Sequence, residues 1–305
     1  MTVTAALVKD LRTNTGAGMM DCKSALVEVN GNFEAAVDWL RRKGLATAAK
    51  KSGRVDTKGL TAICVDGIKG AEVEINSETD FVAKNEVFQE IVKEVSALAV
   101  DQDNIDSLKA VTTKSDKSVE DEIIANVATI RENLNLCRMQ SVSVIDGVIA
   151  SYIHNAVIDN MGKIAVLVAL VSTGDKTNLM FVAKQISMHI AAARPECLNK
   201  EAVDPANVQR EKDIFTEQSK TSGKPDNIIE KMIEGRIRKF LEEVVLLDQT
   251  FVIDGKTKIA DAVANLAKEF GTSVELKSYV RFELGEGIEK KEKSFADEVA
   301  VVAEG

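Results

Sequence analysis

Over residues 4–44, apolar positions recur at helical spacing in three short runs. Thr4 precedes the first, which carries Leu7, Val8 and Leu11 on one face. The turn Thr15-Gly16-Ala17-Gly18-Met19-Met20 separates it from a second run, with Asp21 as its expected cap and Cys22, Ala25, Leu26 and Val29 on one face. Asn30-Gly31-Asn32 closes that run, and Asn32 caps a third with Phe33, Ala36, Val37 and Leu40. So short a unit buries little apolar surface and is expected to be marginal alone. Residues 45–58 have few large apolar groups and read as a linker or a basic extension of the third helix.

The period then changes. Residues 59–66 and 71–77 read as strands around the turn Asp66-Gly67-Ile68-Lys69-Gly70. In the second, Val73 and Ile75 alternate with Glu72, Glu74 and Asn76, a pattern that predicts one face on a core and one toward water. After loop 78–84, Asn85 caps a helix bearing Val87, Phe88, Ile91, Val92, Val95 and Leu98. A polar stretch, 101–117, precedes a helix predicted to run to about Leu134. Residues 136–145 and 148–155 read as strands joined into a hairpin at Asp146-Gly147. The continuous apolar run 163–171 reads as a buried central strand, followed by a helix over 176–194, so hairpin-then-helix occurs twice. Residues 195–245 read as wholly helical, punctuated by Asp204-Pro205 and by Ser222-Gly223-Lys224-Pro225. A helix over 256–270 and a strand over 274–284 lead into a charged tail, 286–305, with Phe295, Val299 and Val302 at helical spacing. The expected class is α+β, with antiparallel strands.

With 45% hydrophobic and 29% charged residues, wholesale disorder is excluded. The net charge of −9 argues against a general nucleic-acid binder, since phosphate neutralisation needs a basic surface. The charge is uneven: residues 1–58 hold ten Lys or Arg against six Asp or Glu, which is +4 and leaves −13 for the rest. A basic first module is therefore expected to meet an acidic surface. Cys22, Cys64, Cys137 and Cys197 lie far apart, without the paired spacing of a zinc site or a disulfide framework. No run reaches the roughly 18 apolar residues of a membrane span, and a cytoplasmic protein is expected. Only three prolines occur, Pro195, Pro205 and Pro225, all in one stretch.

Candidate chemistry is sparse. His154 and His189 are too isolated for a metal cluster or a catalytic triad. Gly174-Asp175-Lys176-Thr177 lacks the first glycine and the adjacent Gly-Lys of a phosphate loop. Neither Gly16-Ala17-Gly18 nor Gly285-Glu286-Gly287 stands between a strand and a helix, as a dinucleotide fingerprint must. No enzyme, cofactor or metal is expected. The oddity is Phe81, one of few aromatics (4% of residues), in the polar loop Glu78-Thr79-Asp80-Phe81-Val82-Ala83-Lys84. It is either a staple folded onto the following helix or an anchor for a partner's pocket. Met19-Met20, in a glycine turn, poses the same choice between closing a small core and serving a binding surface.

At these two places the chain resembles a known family. Leu11-Arg12-Thr13-Asn14-Thr15-Gly16-Ala17-Gly18-Met19-Met20-Asp21-Cys22-Lys23-Ser24-Ala25-Leu26 and Glu74-Ile75-Asn76-Ser77-Glu78-Thr79-Asp80-Phe81-Val82-Ala83-Lys84-Asn85 look like the two signatures of the bacterial elongation factor Ts family. Arg131-Glu132-Asn133-Leu134, Ser151-Tyr152-Ile153-His154, Gln218–Pro225 and Arg281–Lys290 match it further, in family order. The resemblance implies a guanine nucleotide exchange factor that binds elongation factor Tu and expels GDP. It implies a ubiquitin-associated-like three-helix domain (1–54), a two-part αβ core (55–145, then 146–194 with 246–284), an inserted helical-hairpin dimerisation module (195–245) and a C-terminal helical module (285–305). By motif, Asp80 and Phe81, flanked by Thr79 and Val82, enter the partner near its magnesium and switch region, with Phe81 as a wedge. Met19, Met20 and Lys23 face a helix of its nucleotide-binding domain, and Ile130, His154, Val252 and Ile253 lie on the core's contact surface. The chain departs from the family pattern at Arg131, commonly Gly, and in the extra residues 155–162. The alternative reading is a non-enzymatic adaptor binding through its three-helix domain, which predicts that residues 1–45 alone account for binding.

Overall fold

The computed structural model describes residues 3–51, 56–220 and 225–288. Three helices open the chain: α1 (Ala5–Thr15), α2 (Met19–Glu28) and α3 (Phe33–Lys51). Thr4 Oγ1 accepts the Leu7 amide at 3.3 Å, and Gly16, at φ 68°, ends α1 in a left-handed turn. Leu11, Cys22, Leu26 and Ala36 form the small core, with Trp39 and Leu40 packed against it. Gly18, not Asp21, occupies the cap position of α2. Asp21 falls in the first turn, where its carboxylate suits the helix dipole and pairs with Lys43 at 2.8 Å. Of the two readings of residues 45–58, the extension applies as far as Lys51.

The rest of the chain builds one scheme twice. The first half runs β1 (Lys58–Asp66), β2 (Lys69–Ser77), the helices α4 (Glu86–Ala99), α5 (Ile105–Ala110) and α6 (Val119–Ile130), then β3 (Leu134–Ser143). The second runs β4 (Gly147–Ile158), β5 (Met161–Val171), α7 (Lys176–Ala193), the inserted pair α8 (Pro205–Lys220) and α9 (Asp226–Val244), then α10 (Ile259–Phe270) and β6 (Glu275–Glu283). In each half the middle strand pairs antiparallel with both others, β2 with β1 and β3, β5 with β4 and β6. The halves join where Thr61 and Ala62 pair with Gly162 and Met161. Phe88, Val92 and Val127 lie in one helix-covered core, and Leu179, Ile186 and Leu266 in another. All six strands thus form one sheet, and a third core between its two halves includes Ile63, Val142, Leu167 and Phe282. Along β5, Val166, Val168 and Leu170 face the second helical layer while Ala165, Leu167 and Ala169 face this third core. Burial on both faces explains the unbroken apolar run.

Four expectations are corrected. Strands 136–145 and 148–155 form no hairpin: β3 pairs with β2, and β4 with β5. Asp146-Gly147 instead carries the chain from one half of the sheet to the other, and Gly147, at φ 156°, lies so close to Leu170 that a Cβ would fall 2.0 Å from its carbonyl oxygen. The helix predicted to reach Leu134 stops at Ile130, because Arg131 adopts a left-handed φ of 66° and Leu134 already belongs to β3. Residues 195–204 are mostly irregular, with one short 3-10 turn at Lys200–Ala202; Pro195 lies there and accepts the Tyr279 hydroxyl at 2.8 Å. Pro205 opens α8 and Pro225 precedes α9, whereas 221–224 and the tail from 289, with Phe295, Val299 and Val302, lie outside the described residues.

The fourth correction concerns β2, whose polar face does not meet water. Glu72, Glu74 and Asn76 are fully buried. The Phe282 amide donates to Glu72 Oε1 at 2.9 Å and the Gly285 amide to Glu74 Oε1 at 2.8 Å. Arg138 Nε donates to Glu74 Oε2 at 2.7 Å, and its guanidinium lies 4.2 Å from the Phe282 ring centre. Burial pushes the Glu72 carboxyl well above its ordinary value, against the pull of the Phe282 amide. Among the described residues, no helix is long and apolar enough to cross a membrane.

Candidate functional site

Between β2 and α4 the chain makes a short 3-10 turn, Val82–Lys84. Val82 and Ala83 are buried in the first helical core, and Asn85 Oδ1 caps α4 by accepting the Phe88 amide at 3.2 Å. The Phe81 carbonyl accepts the Lys84 amide at 3.1 Å, and the Gln89 side chain donates to the Ala83 carbonyl at 2.8 Å. This turn leaves Asp80 and Phe81 outside. Phe81 is 84% exposed, so it is no staple on α4.

The base of the loop is clasped to the segment after α6. Glu132 accepts two hydrogen bonds from Thr79, from the amide at 2.8 Å and from the hydroxyl at 2.6 Å. In return Glu78 Oε1 accepts the Asn133 amide at 2.7 Å. Lys51, at the end of α3, lies 3.8 Å from Glu78 and also donates to the Arg131 carbonyl. Asn133 in turn donates to Asp56. Thr79 and Val82 therefore point inward, and Asp80 and Phe81 are the outward pair. Both Glu78 and Glu132 fall within the family-matching motifs, but nothing in their spacing indicates the clasp, and the helix expected from the sequence encloses Glu132, whereas α6 ends at Ile130.

On α2, Met20, Lys23 and Val27 follow one another at helical spacing and form an exposed face; Met20 is 67% and Val27 57% exposed, with Met19 beside them. This helix is tied to the same junction, since Asp21 lies 3.7 Å from Arg131. Arg41 of α3 lies 3.6 Å from Asp121 of α6, beside a cavity of about 560 Å³ between the module and α6. Around this cavity the module meets the core through α3 packed on α6, the rim charges and the Lys51 contact. Residues 131–133 thus gather two of the expected contact elements, α2 and the Phe81 loop. Ile130 is half-buried against the first helical core.

The remaining expected residues sit on the second half. His154 is exposed on β4, its Nδ1 3.1 Å from the Tyr152 hydroxyl. The extra residues 155–162 lengthen the β4–β5 hairpin beyond it, with Asn155 and Asn160 in left-handed conformations. Val252 and Ile253 are about half exposed at a turn whose first residue, Phe251, is buried. Supporting this turn is a side chain that sequence reading set aside as isolated. His189 of α7 accepts the Val252 amide at Nδ1, 3.3 Å away, so its Nε2–H donates to Gln249 Oε1 at 2.8 Å. Gln249 donates onward to the Glu243 carbonyl at 2.6 Å, and the imidazole meets the Phe251 ring edge-on at 5.9 Å. Burial lowers the His189 pKa, which keeps the ring neutral as this pattern requires.

Among the described residues, no group of three His, Cys, Asp or Glu could hold a metal ion. Asp80, Phe81, Met20 and Lys23 are exposed side chains, and the backbone of the Phe81 loop is braced on both sides. A protein-family model described as Elongation factor TS matches residues 78–286. The chain is 55% identical over 304 residues to Elongation factor Ts of Rickettsia felis, spanning 99% of this chain and 98% of that one. It is 54% identical over 304 residues to the protein of that name from Rickettsia rickettsii, with the same coverage. Against that of Rickettsia akari it is 55% identical over 301 residues, 98% and 97% of the two chains.

Proposed function

The chain belongs to the elongation factor Ts family, and from that we propose that it binds elongation factor Tu carrying GDP, disrupts the magnesium and nucleotide site, and promotes GDP release during translation in the cytoplasm. The supporting observation is the exposed Phe81 on a braced turn beside the exposed Asp80. Exchange of this kind needs no catalytic group. It needs a partner conformation in which contacts with the factor are strong while contacts with nucleotide are weak. Linkage makes the effect reciprocal: the factor weakens nucleotide binding by the ratio in which nucleotide weakens factor binding. A factor that bound both states equally would shift nothing. Phe81 supplies the difference as a wedge that seats only when the partner's helices part, and Asp80 brings negative charge beside the magnesium. The face of α2 with Met19, Met20 and Lys23 holds the nucleotide-binding domain, while Ile130, His154, Val252 and Ile253 extend the contact over the core.

The test is release of fluorescently labelled GDP from elongation factor Tu, with and without this chain. Strong acceleration is expected, and none would overturn the reading. We further assign self-association to the α8–α9 hairpin, on which Ile214 and Ile228 are exposed. Deleting residues 195–245 is expected to bring the mass seen by light scattering down to that of a single shortened chain, and the same number of chains per particle before and after the deletion argues against it.

A further inference from the structure

We propose that Glu132 is a positioning residue for nucleotide exchange: its carboxylate, clasping Thr79, sets the direction in which Asp80 and Phe81 leave the core. The inference rests on the wedge reading of Phe81. A side chain 84% exposed has no packing of its own to hold its direction, so direction must come from the backbone on either side. On the far side, Val82 and Ala83 are buried and Asn85 caps α4. On the near side, β2 pairing ends where Ser77 meets Leu134. Beyond it the Thr79 carbonyl accepts the Ser77 hydroxyl at 3.0 Å and Glu78 lies 3.8 Å from Lys51, but the Thr79 amide and hydroxyl are held by the crossing segment. Both donors of Thr79 go to Glu132, at 2.8 and 2.6 Å, and Glu78 answers with the Asn133 amide at 2.7 Å. Charge-assisted bonds to a carboxylate are the stronger kind, and two on one residue fix both its position and its rotation. Glu132 follows Arg131, whose left-handed φ of 66° turns the chain out of α6. The same bend that ends the helix therefore delivers the carboxylate to the loop.

A wedge works only if its angle is set before the partner arrives, because ordering it on contact subtracts from the difference between the two partner states. Loosening the clasp should therefore lower the rate at which bound partner releases GDP more than it weakens the encounter. The test uses the full chain with Glu132→Ala, Glu132→Gln and Phe81→Ala. GDP release from elongation factor Tu is followed at rising factor concentration, and amide hydrogen exchange is followed in the free chain. Glu132→Ala is expected to lose the protection of the Thr79 amide with core protection intact. It should lower the maximal release rate about tenfold, the scale of one charge-assisted bond, while half-saturation moves far less. Glu132→Gln, whose amide oxygen still accepts the Thr79 N–H, is expected to restore most of both. Unchanged Thr79 protection in Glu132→Ala overturns the proposal whatever the kinetics. Lost protection with an unchanged maximal rate also overturns it, provided Phe81→Ala is impaired. If Phe81→Ala exchanges normally, the wedge reading itself fails and the positioning role falls with it.

Discussion

In the first half of the core, β2 passes to its helix through eight residues, 78–85; in the second half, β5 passes to α7 through four, 172–175. The shorter link buries Ser172 and shows only the small polar side chains of Thr173 and Asp175 at the surface. Ser172 Oγ accepts the Gly174 amide at 3.1 Å, and Asp175 caps α7 through the Thr177 and Asn178 amides. Gly174 lies against the Phe270 ring so closely that a Cβ would fall 2.3 Å from Cδ2. The longer link anchors both ends as firmly and uses the extra residues to hold an aromatic side chain outside. The same supersecondary scheme thus serves packing in one half and display in the other. On the wedge reading proposed above, what separates the two halves is a loop length and the side chains that brace it, not the scheme itself.

Three substitutions probe this contrast. The largest effect is expected from Phe81→Ala. The melting temperature should hold within about a degree or two, since almost no burial is lost. Exchange should fall by about 2–4 kcal/mol of coupling, a tens- to hundreds-fold loss of rate in the GDP-release assay. A normal rate would make the two loops equivalent and remove the contrast. Next, Gly174→Ala should do the reverse. The added methyl must displace Phe270, costing about 1–3 kcal/mol of stability in thermal or urea unfolding. Exchange per folded molecule should be unchanged.

The smallest effect concerns the second half's own exposed turn. His189 must be neutral to accept the Val252 amide, and its folded pKa lies below the unfolded value of 6.5. The stability it contributes is therefore complete above 6.5 and lost as pH falls through that value toward the lower folded pKa. Wild type should lose stability over that window by more than His189→Gln does, by an amount on the scale of one neutral hydrogen bond, about 1 kcal/mol. Parallel pH profiles for the two proteins would show that the imidazole does not titrate against the fold.

Much of this is legible in residue order. The helical spacing of Val87 to Leu98, the caps at Thr4 and Asn85, and the unbroken apolar stretch of β5 each follow from local physics and hold in the structure. Phe81 stood out because an aromatic in a polar loop is a poor packing choice, and the structure leaves it outside. Other features were not legible because their causes are distant in sequence. Alternation in β2 reads as a wetted face, yet Glu72 meets an amide at Phe282, 210 residues away. Asp146-Gly147 carries a hairpin's composition, but the same residues serve a crossover, and local chemistry does not separate the two. Glu132 and His189 act only through residues that folding brings to them, Thr79 and Val252.

The buried carboxylates of β2 also have a consequence for the order of assembly. On a ribosome, β1 to β3 emerge long before β6, so Glu72 and Glu74 first stand in water. Only when the last strand arrives can the Phe282 and Gly285 amides replace that water. The first half should thus gather early around its helical core, while the seam between the two halves of the sheet closes late, as expected for contacts of such long range. Until the seam closes, two polar side chains guard an open sheet face against pairing with the wrong strand.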